Sequence, residues 1–522
     1  MKVVSPEDAV SLIKDNMTVV TEGFNRTVHP EVLSRALEDR FLNSGSPKNL
    51  TLVYSGGMGE LPVTDGHGWA VNHYAKEGLL KKVICGHLAL APDLGKLVFS
   101  NKIEAYNIPQ GTIAHMFRDS AARKAGTITR VGLGTFVDPR QEGCRLNAVS
   151  TAPVNEVVVL GGEENLFYPR IDFDFCMLRG TYADEKGNIS MERECLVVDN
   201  LAVAQAVHRN GGTVVVQVSK VVRAGSLNPH NVIIPSILVD YVVVVPEPQN
   251  MWELPQADID VFCGQVRVPD EAAVPQAVSP LNERKVIARR AAFELAKGAA
   301  VNLGTGMPEL VATIAAEEGV FNDFSLTVEA GAVGGLPQPR PMFGSSINVE
   351  CIVTQSQQFD FYDGGGLDLA FLGLAETDPI GNINVSKMGT KIPGAGGFIN
   401  IASNARKLFF CGTFTGKGLK VAIRDGQVVI EQEGSIRKFL NKIEQITYSG
   451  KMAMEQGQTV LFITERAVFE LKSDGIHLIE VAPGISVEKD ILAHMDFAPI
   501  IDGAPRVMDA RIFQPGLMNL TL

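Results

Sequence analysis

Glu329 sits in Thr327-VEAGAVGGLP, after a short apolar run and ahead of three glycines. Open α/β sheets place their ligands at the C-terminal ends of parallel strands, where this carboxylate is predicted to lie. The glycines behind it let a bulky substrate approach the backbone closely. The plainer reading of the same residue is a solvated or capping carboxylate. A second group is Ile392-PGAGGFINIA, in which Gly396 and Gly397 precede an apolar helix. Glycines there present backbone N–H groups unhindered by side chains, a cradle for an oxyanion. A tight strand-to-helix turn is the alternative. The third candidate is Gln110 in Tyr106-NIPQGT, whose amide would reach a carbonyl oxygen or a neighbouring backbone group.

Other motifs fail on their spacing. Gly412-TFTGKG has one residue too few between its glycines, and no Ser or Thr follows Lys417, so it is no phosphate loop. Gly304-TGMPE carries Glu309 where a dinucleotide fingerprint needs its third glycine. Ser55 in Tyr54-SGG has no glycine two positions before it, as a nucleophile elbow requires. His67 and His73 fall in a polar loop and read as solvated rather than metal-bound, and no metal site is expected.

The elements that must position these residues occur twice. Met17-TVVTEGF, Pro30-EVLSRAL and Leu50-TLVYSGG are echoed by Ala299-AVNLGTG, Pro308-ELVATIA and Ser325-LTVEAGA. This aligns Gly23 with Gly304, Pro30 with Pro308, and Tyr54 with Glu329. An acid in only one of two like positions points to specialisation of that half. Asp174-FCMLRGTYADEKGNI is matched by Asp368-LAFLGLAETDPIGNI, and the first half carries an insertion over roughly residues 60–165. Strand, helix and strand with short connections predict parallel pairing. Ser5-Pro6 and Ser279-Pro280 read as helix N-caps. Asn155-EVVVL, Thr213-VVVQV, Ile237-LVDYVVVV and Leu408-FFCGTF are continuous apolar runs, as buried strands would be. Hairpins are predicted at Leu419-KVAIRDGQVVIEQ, turning at Asp425-Gly426, and at Thr459-VLFITERAVFELK. The fold class is α/β: two tandem related open α/β domains with a cleft between the halves. Their spans are 1–265 and 281–522, joined by a proline-rich linker over 266–280.

Composition narrows the function. The chain has 522 residues, 45% of them hydrophobic and 20% charged, which excludes disorder as the dominant state. A net charge of −12 argues against nucleic acid as a partner. The longest apolar runs, such as Tyr241 to Val245, fall far short of the ~20 residues that cross a bilayer, so no membrane partner is expected. Seven scattered cysteines with no C-x-x-C read as reduced thiols in a cytoplasmic protein.

Taken together, these blocks resemble the family I coenzyme A transferases, in the single-chain branch that includes propionate and acetate CoA-transferases. The resemblance runs over essentially the whole chain. The first half resembles the family's α-subunit, through Pro109-QGT. The second resembles the β-subunit, through Val301-NLGTGMPELVA, Phe361-YDGGGLDLAFLGLAE, Gly381-NINVS and Pro393-GAGGF. Two-subunit members read S-E-N-G at the catalytic strand; Val328-EAG fits the single-chain branch.

The resemblance implies a short-chain acyl-CoA:carboxylate CoA-transferase working by ping-pong transfer. Glu329 would be the nucleophile, forming an acyl–glutamyl anhydride and then a glutamyl–CoA thioester. The same resemblance assigns oxyanion donation to Gln110 and the Gly396-Gly397 backbone. Lys387 and Lys391 would meet CoA phosphates, with solvated lysines the alternative. Coenzyme A enters as substrate, with no permanently bound cofactor, and the partners are acyl-CoA and short-chain carboxylates. A homo-oligomer, tetramer or dimer, is expected. The rival readings are an acyl-CoA hydrolase using the same Glu, and an isomerase or ligand sensor of related fold.

Overall fold

The computed structural model describes residues 1–59, 68–246, 256–269, 273, 280–340 and 342–522, and the findings below concern these. The apolar runs of the first half build one sheet. Its strands are β1 (Lys2–Val3), β2 (Thr18–Thr21), β3 (Leu50–Tyr54), β4 (Leu80–Cys85), β5 (Glu104–Asn107), β6 (Phe175–Arg179), β7 (Thr213–Val218) and β8 (Tyr241–Val244). They lie in the order β1-β8-β7-β6-β2-β3-β4-β5, and every pairing is parallel. All five residues of β3 and of β6 are buried, as a parallel sheet covered on both faces demands.

The second half builds a larger sheet from β9 (Ala300–Leu303), β10 (Ser325–Thr327), β11 (Ala332–Val333), β12 (Cys351–Ile352), β13 (Leu369–Gly373), β14 (Lys407–Cys411), β15 (Thr459–Ile463), β16 (Ala467–Lys472), β17 (Gly475–Val481) and β18 (Arg506–Val507). Their order is β12-β11-β10-β9-β13-β14-β15-β16-β17-β18. The central run β10-β9-β13-β14-β15 is parallel and repeats the order β3-β2-β6-β7-β8. In the first half the insertion adds β4 and β5 beside β3, where the second half has the β11 and β12 turn-back instead. Two tandem α/β units in one chain are what the repeat predicts.

The backbone register corrects one detail of that repeat. Asp174 accepts the Thr18 N–H at 2.8 Å, and Asp368 accepts the Ala300 N–H at 3.0 Å, so Thr18 matches Ala300. Thr18 then pairs with Thr51 and Ala300 with Ser325. Counting on from Thr51 and Ser325, Glu329 is matched by Ser55, not by Tyr54, and Gly304 by Glu22, not by Gly23. Aligning glycine with glycine slips the comparison by one residue, which in a strand exchanges the two faces.

Three further expectations change. The Asn155-EVVVL run is not buried: Glu156–Leu160 is the edge of a small antiparallel sheet, with Val159 64% exposed. The helix Glu283–Ala292 is capped by Asn282, whose side chain accepts the Lys285 N–H at 3.0 Å; Ser279 and most of the 266–280 linker lie outside the described residues. The hairpins form as predicted, with Arg424 opposite Gln427 across the Asp425-Gly426 turn and Ile463 opposite Val468.

His67 lies outside the described residues, and His73 is not solvated. It is buried, with Nε2 2.6 Å from Glu31 and Nδ1 bonded to Glu38. Burial disfavours its charge, but the two carboxylates outweigh it and raise the imidazole to about 9.

The halves meet along a shared seam. Ala395 and Ile399 of the second half belong to the core around the first sheet, and Ala114 of the first half belongs to a core of the second. Helix Gln110–Ala121 packs against helix Gln355–Asp363 from the other half. Gly111 permits this approach: a Cβ there would stand 2.5 Å from the Phe359 ring. Arg118 and His115 both reach Asp360 across the seam, at 2.6 and 3.1 Å.

Candidate active site

A cavity of about 230 Å³ opens between the two halves, at the strand ends where the sheets carry Glu329, and both halves line it. The first half contributes Gln110, His87 and Gly57; the second contributes Glu329, Arg340 and the loop from Pro393 to Phe398. The structure therefore brings Glu329, Gln110, Gly396 and Gly397 together, although Gln110 lies more than two hundred residues from the others.

Glu329 stands at the tip of the turn from β10 into β11, closed by Val328 N–H to Ala332 O at 2.8 Å and Gly331 N–H to Val328 O at 2.9 Å. Gly331 has φ +116°, and a Cβ there would meet the Val353 carbonyl at 2.1 Å, so only glycine completes this turn. The Glu329 side chain keeps some surface toward the cavity but is otherwise ringed by protein. That desolvation raises its pKa to about 7, against the pull of its own backbone N–H and the Asn302 amide.

The glycine loop fits against this carboxylate. A Cβ on Gly397 would lie 3.2 Å from Glu329 Cγ, so a side chain there would crowd the reacting group. Gly396 adopts φ +54°, and its N–H donates to Gly86 O at 2.7 Å. That bond corrects the reading of both glycines as donors: of the two, Gly397 has the N–H that nothing accepts among the described residues. Buried Asn107 holds the loop in place. Its Nδ2 donates to Cys85 O and Gly86 O, and its Oδ1 accepts the Ala395 N–H at 2.8 Å.

Gln110 opens its helix with its backbone N–H on Gly396 O at 2.9 Å and its Nε2 on Gln355 Oε1 at 2.6 Å. Lys387 and Lys391 do not line the cavity. Lys387 Nζ is 4.0 Å from Glu444, and Lys391 is exposed on a turn closed with Met388. The cation that does line the cavity is Arg340. Burial and the Arg340 charge lower His87 to about 4, so its imidazole is neutral at neutral pH. Sequence reasoning missed Arg340, His87, Asn107 and Gln355. The only advance signal was for His87, which follows the C-terminal end of a strand. Among the described residues no group of three His, Cys, Asp or Glu side chains is placed to hold a metal ion.

The coenzyme A transferase family model matches residues 3–245. Over 521 residues the chain is 42% identical to acetate CoA-transferase YdiF of Escherichia coli K12, covering all of this chain and 96% of that protein. The chain belongs to the coenzyme A transferase family. It is also 43% identical to a caffeate CoA-transferase of Acetobacterium woodii, with 98% and 97% of the two chains covered. The crystal structure of the acyl-CoA transferase YdiF apoenzyme from Escherichia coli O157:H7 superposes with a TM-score of 0.93 at 41% identity, covering 100% of this chain and 98% of that one. A YdiF thioester complex with CoA superposes at 0.90 over the same coverage. For a transferase of CoA, the cavity supplies one desolvated carboxylate, an amide and an unencumbered backbone N–H.

Proposed function

We propose that this CoA-transferase moves CoA between short-chain carboxylic acids through a covalent intermediate on Glu329. The observation that carries this reading is the Glu329 carboxylate in the cavity between the halves, flush against Gly397 and sharing its lining with Gln110. A Glu329 oxygen attacks the thioester carbonyl carbon; the C–S bond breaks, leaving an acyl–glutamyl anhydride and CoA thiolate. The thiolate sulfur then attacks the Glu329 carbonyl carbon, and the anhydride C–O bond breaks to release the first acid as its carboxylate. The second acid reverses both steps, giving ping-pong kinetics. Nucleophile, donor and acceptor are all carboxylates, so no net proton moves and no base is required.

Each step passes through an oxyanion. The Gln110 Nε2 and the Gly397 N–H would receive it, and one well-placed donor is worth about 3–4 kcal/mol in such a site. The anhydride is high in energy, so binding of the remote CoA moiety must contribute at the reacting carbon. The family relative solved as a thioester complex with CoA supports the intermediate, and the relative named as an acetate CoA-transferase supports a short-chain acid. A division into units 1–265 and 281–522, a cytoplasmic location and a homo-oligomer belong to the same proposal. Crossing a panel of acyl-CoA donors with free acids tests it. Exchange between short-chain acids supports the proposal, and release of free CoA without an acceptor acid would make the protein a hydrolase.

A further inference from the structure

The cavity has a counterpart across the seam. Gln110 opens its helix against the Gly396 carbonyl of the second half; Gln355 opens the facing helix against the Val198 carbonyl of the first, at 3.4 Å. Gly396 and Val198 both hold left-handed backbone, φ +54° and +46°. The register places Ser55 where Glu329 stands. Ser55, Gln355, Val198 and Asp199 thus correspond to Glu329, Gln110, Gly396 and Gly397. This second site has Val198 and Asp199 in place of the glycines and Ser55 in place of the carboxylate, and buried polar side chains fill it.

Those side chains fix an orientation. Gln355 Nε2 gives its two hydrogens to Ser55 Oγ at 2.6 Å and Asp199 Oδ2 at 3.1 Å. Asp199 Oδ1 also accepts the Ser356 N–H at 3.1 Å, and the Ser55 hydroxyl donates to the Glu22 carboxyl at 3.0 Å. Glu22, Ser55, Asp199 and Gln355 are all at most 1% exposed, so no water competes for these bonds. With acceptors on one side, the Gln355 amide can turn only its oxygen toward Gln110. That oxygen takes one Gln110 Nε2 hydrogen at 2.6 Å. Reversing the Gln110 amide would press two amide oxygens together at that distance. One Nε2 hydrogen is therefore fixed; no described residue accepts the other, and Gln110 lines the cavity.

We infer that Gln355 is a positioning residue for the transfer reaction: anchored by Ser55 and Asp199 in the buried counterpart of the active site, it sets which atom of the Gln110 amide meets the oxyanion. The inference rests on the transfer reading. Gln355 does not line the cavity, so its effect on the reaction must pass through Gln110.

The test is a double-mutant cycle on the full-length protein, with kcat and the KM for acyl-CoA measured alongside thermal unfolding. Gln355→Ala is expected to lower kcat by about 10–100-fold, with KM within about twofold of wild type. In the Gln110→Ala background, Gln355→Ala should lower kcat no further, because there is no amide left to orient. Gln355→Leu keeps most of the bulk but has no oxygen for Gln110. If Gln355→Ala does not fold, Gln355→Leu takes its place in the cycle with the same expectation. Multiplicative losses in the double variant, or wild-type kcat in a folded Gln355 variant, would overturn the inference. Both Gln355 variants failing to fold would overturn it too, making the residue structural. Failure of the transfer reading would appear instead in the unmodified protein, as the absence of any CoA adduct on Glu329.

Discussion

Ser55 and Glu329 stand at equivalent positions beyond the ends of β3 and β10, yet Ser55 is fully buried and only Glu329 lines the cavity. The repeat places two strand ends and two helix starts at one seam. One carries a carboxylate beside Gly397, and the other is filled with Asp199 and Glu22. Burial and the nearby Asp199 charge hold the Glu22 carboxyl well above the ordinary carboxylate range. The same desolvation acts on Glu329, where it bears on the proposed chemistry.

The nucleophile must be ionised, and burial raises Glu329 to about 7. In the free enzyme, kcat/KM should therefore fall about tenfold per pH unit on the acid side of neutrality, with an apparent pKa near that value. A pH–rate profile of exchange measures it. An acid limb centred near 4.5, the ordinary value for Glu, would show that the carboxylate is not desolvated in the free enzyme.

The same shift has a stability consequence. The folded pKa of Glu329 lies above the unfolded one, so the native state binds the extra proton between 4.5 and about 7. Wild-type stability relative to Glu329→Gln must then fall as pH rises through that window. At pH 8 the Gln variant should melt higher than wild type, and the gap should close toward pH 4. A gap independent of pH would assign the difference to packing.

Space beside the carboxylate is the next constraint. A Cβ on Gly397 would sit 3.2 Å from Glu329 Cγ, although this glycine does not occupy left-handed backbone. Gly397→Val should keep the fold and lose turnover by on the order of 100-fold, through displacement of the N–H donor and the carboxylate. Circular dichroism with exchange assays separates the two. Near-normal exchange would reduce the loop to a turn.

Away from the cavity, His73 ties Glu31 to Glu38, and Lys76 reaches Glu38 at 2.6 Å. The imidazole is raised to about 9 in the fold, against about 6.5 when unfolded. Its contribution is fully present below 6.5 and is lost as pH rises through 9. Urea unfolding across that range should show wild type losing stability, and His73→Gln should lack this part of the slope.

Much of this architecture is legible in the sequence because apolar runs and glycine-ended strands recur, and parallel strands buried on both faces read as continuous hydrophobic blocks. The register is not so legible. It is set by Asp174 and Asp368 accepting backbone N–H groups of Thr18 and Ala300, far away in the chain. The run at 156–160 misleads because an exposed edge strand of valines has the same composition as a buried one. Glu329 and its glycines announce themselves locally. Gln355, Asn107 and His73 act through partners 21 to 300 residues distant, so no local spacing reveals them.

The covalent intermediate gives the most direct test. Incubation with acyl-CoA and no acceptor acid should stop after the first acid departs, leaving CoA joined to the Glu329 side chain. Borohydride reduces a thioester to an alcohol but leaves an ionised carboxylate intact. Only the protein treated with both reagents should lose activity, and peptide mapping should place the change between Ser325 and Arg340. Glu329→Ala should form no adduct and transfer no CoA, while still binding CoA through contacts remote from the reacting carbon. Gln110→Ala should form the same adduct more slowly, because Gln110 stabilises the oxyanion without bonding to the acyl group. An adduct on a different residue, or full transfer by Glu329→Ala, would overturn the mechanism at its first step.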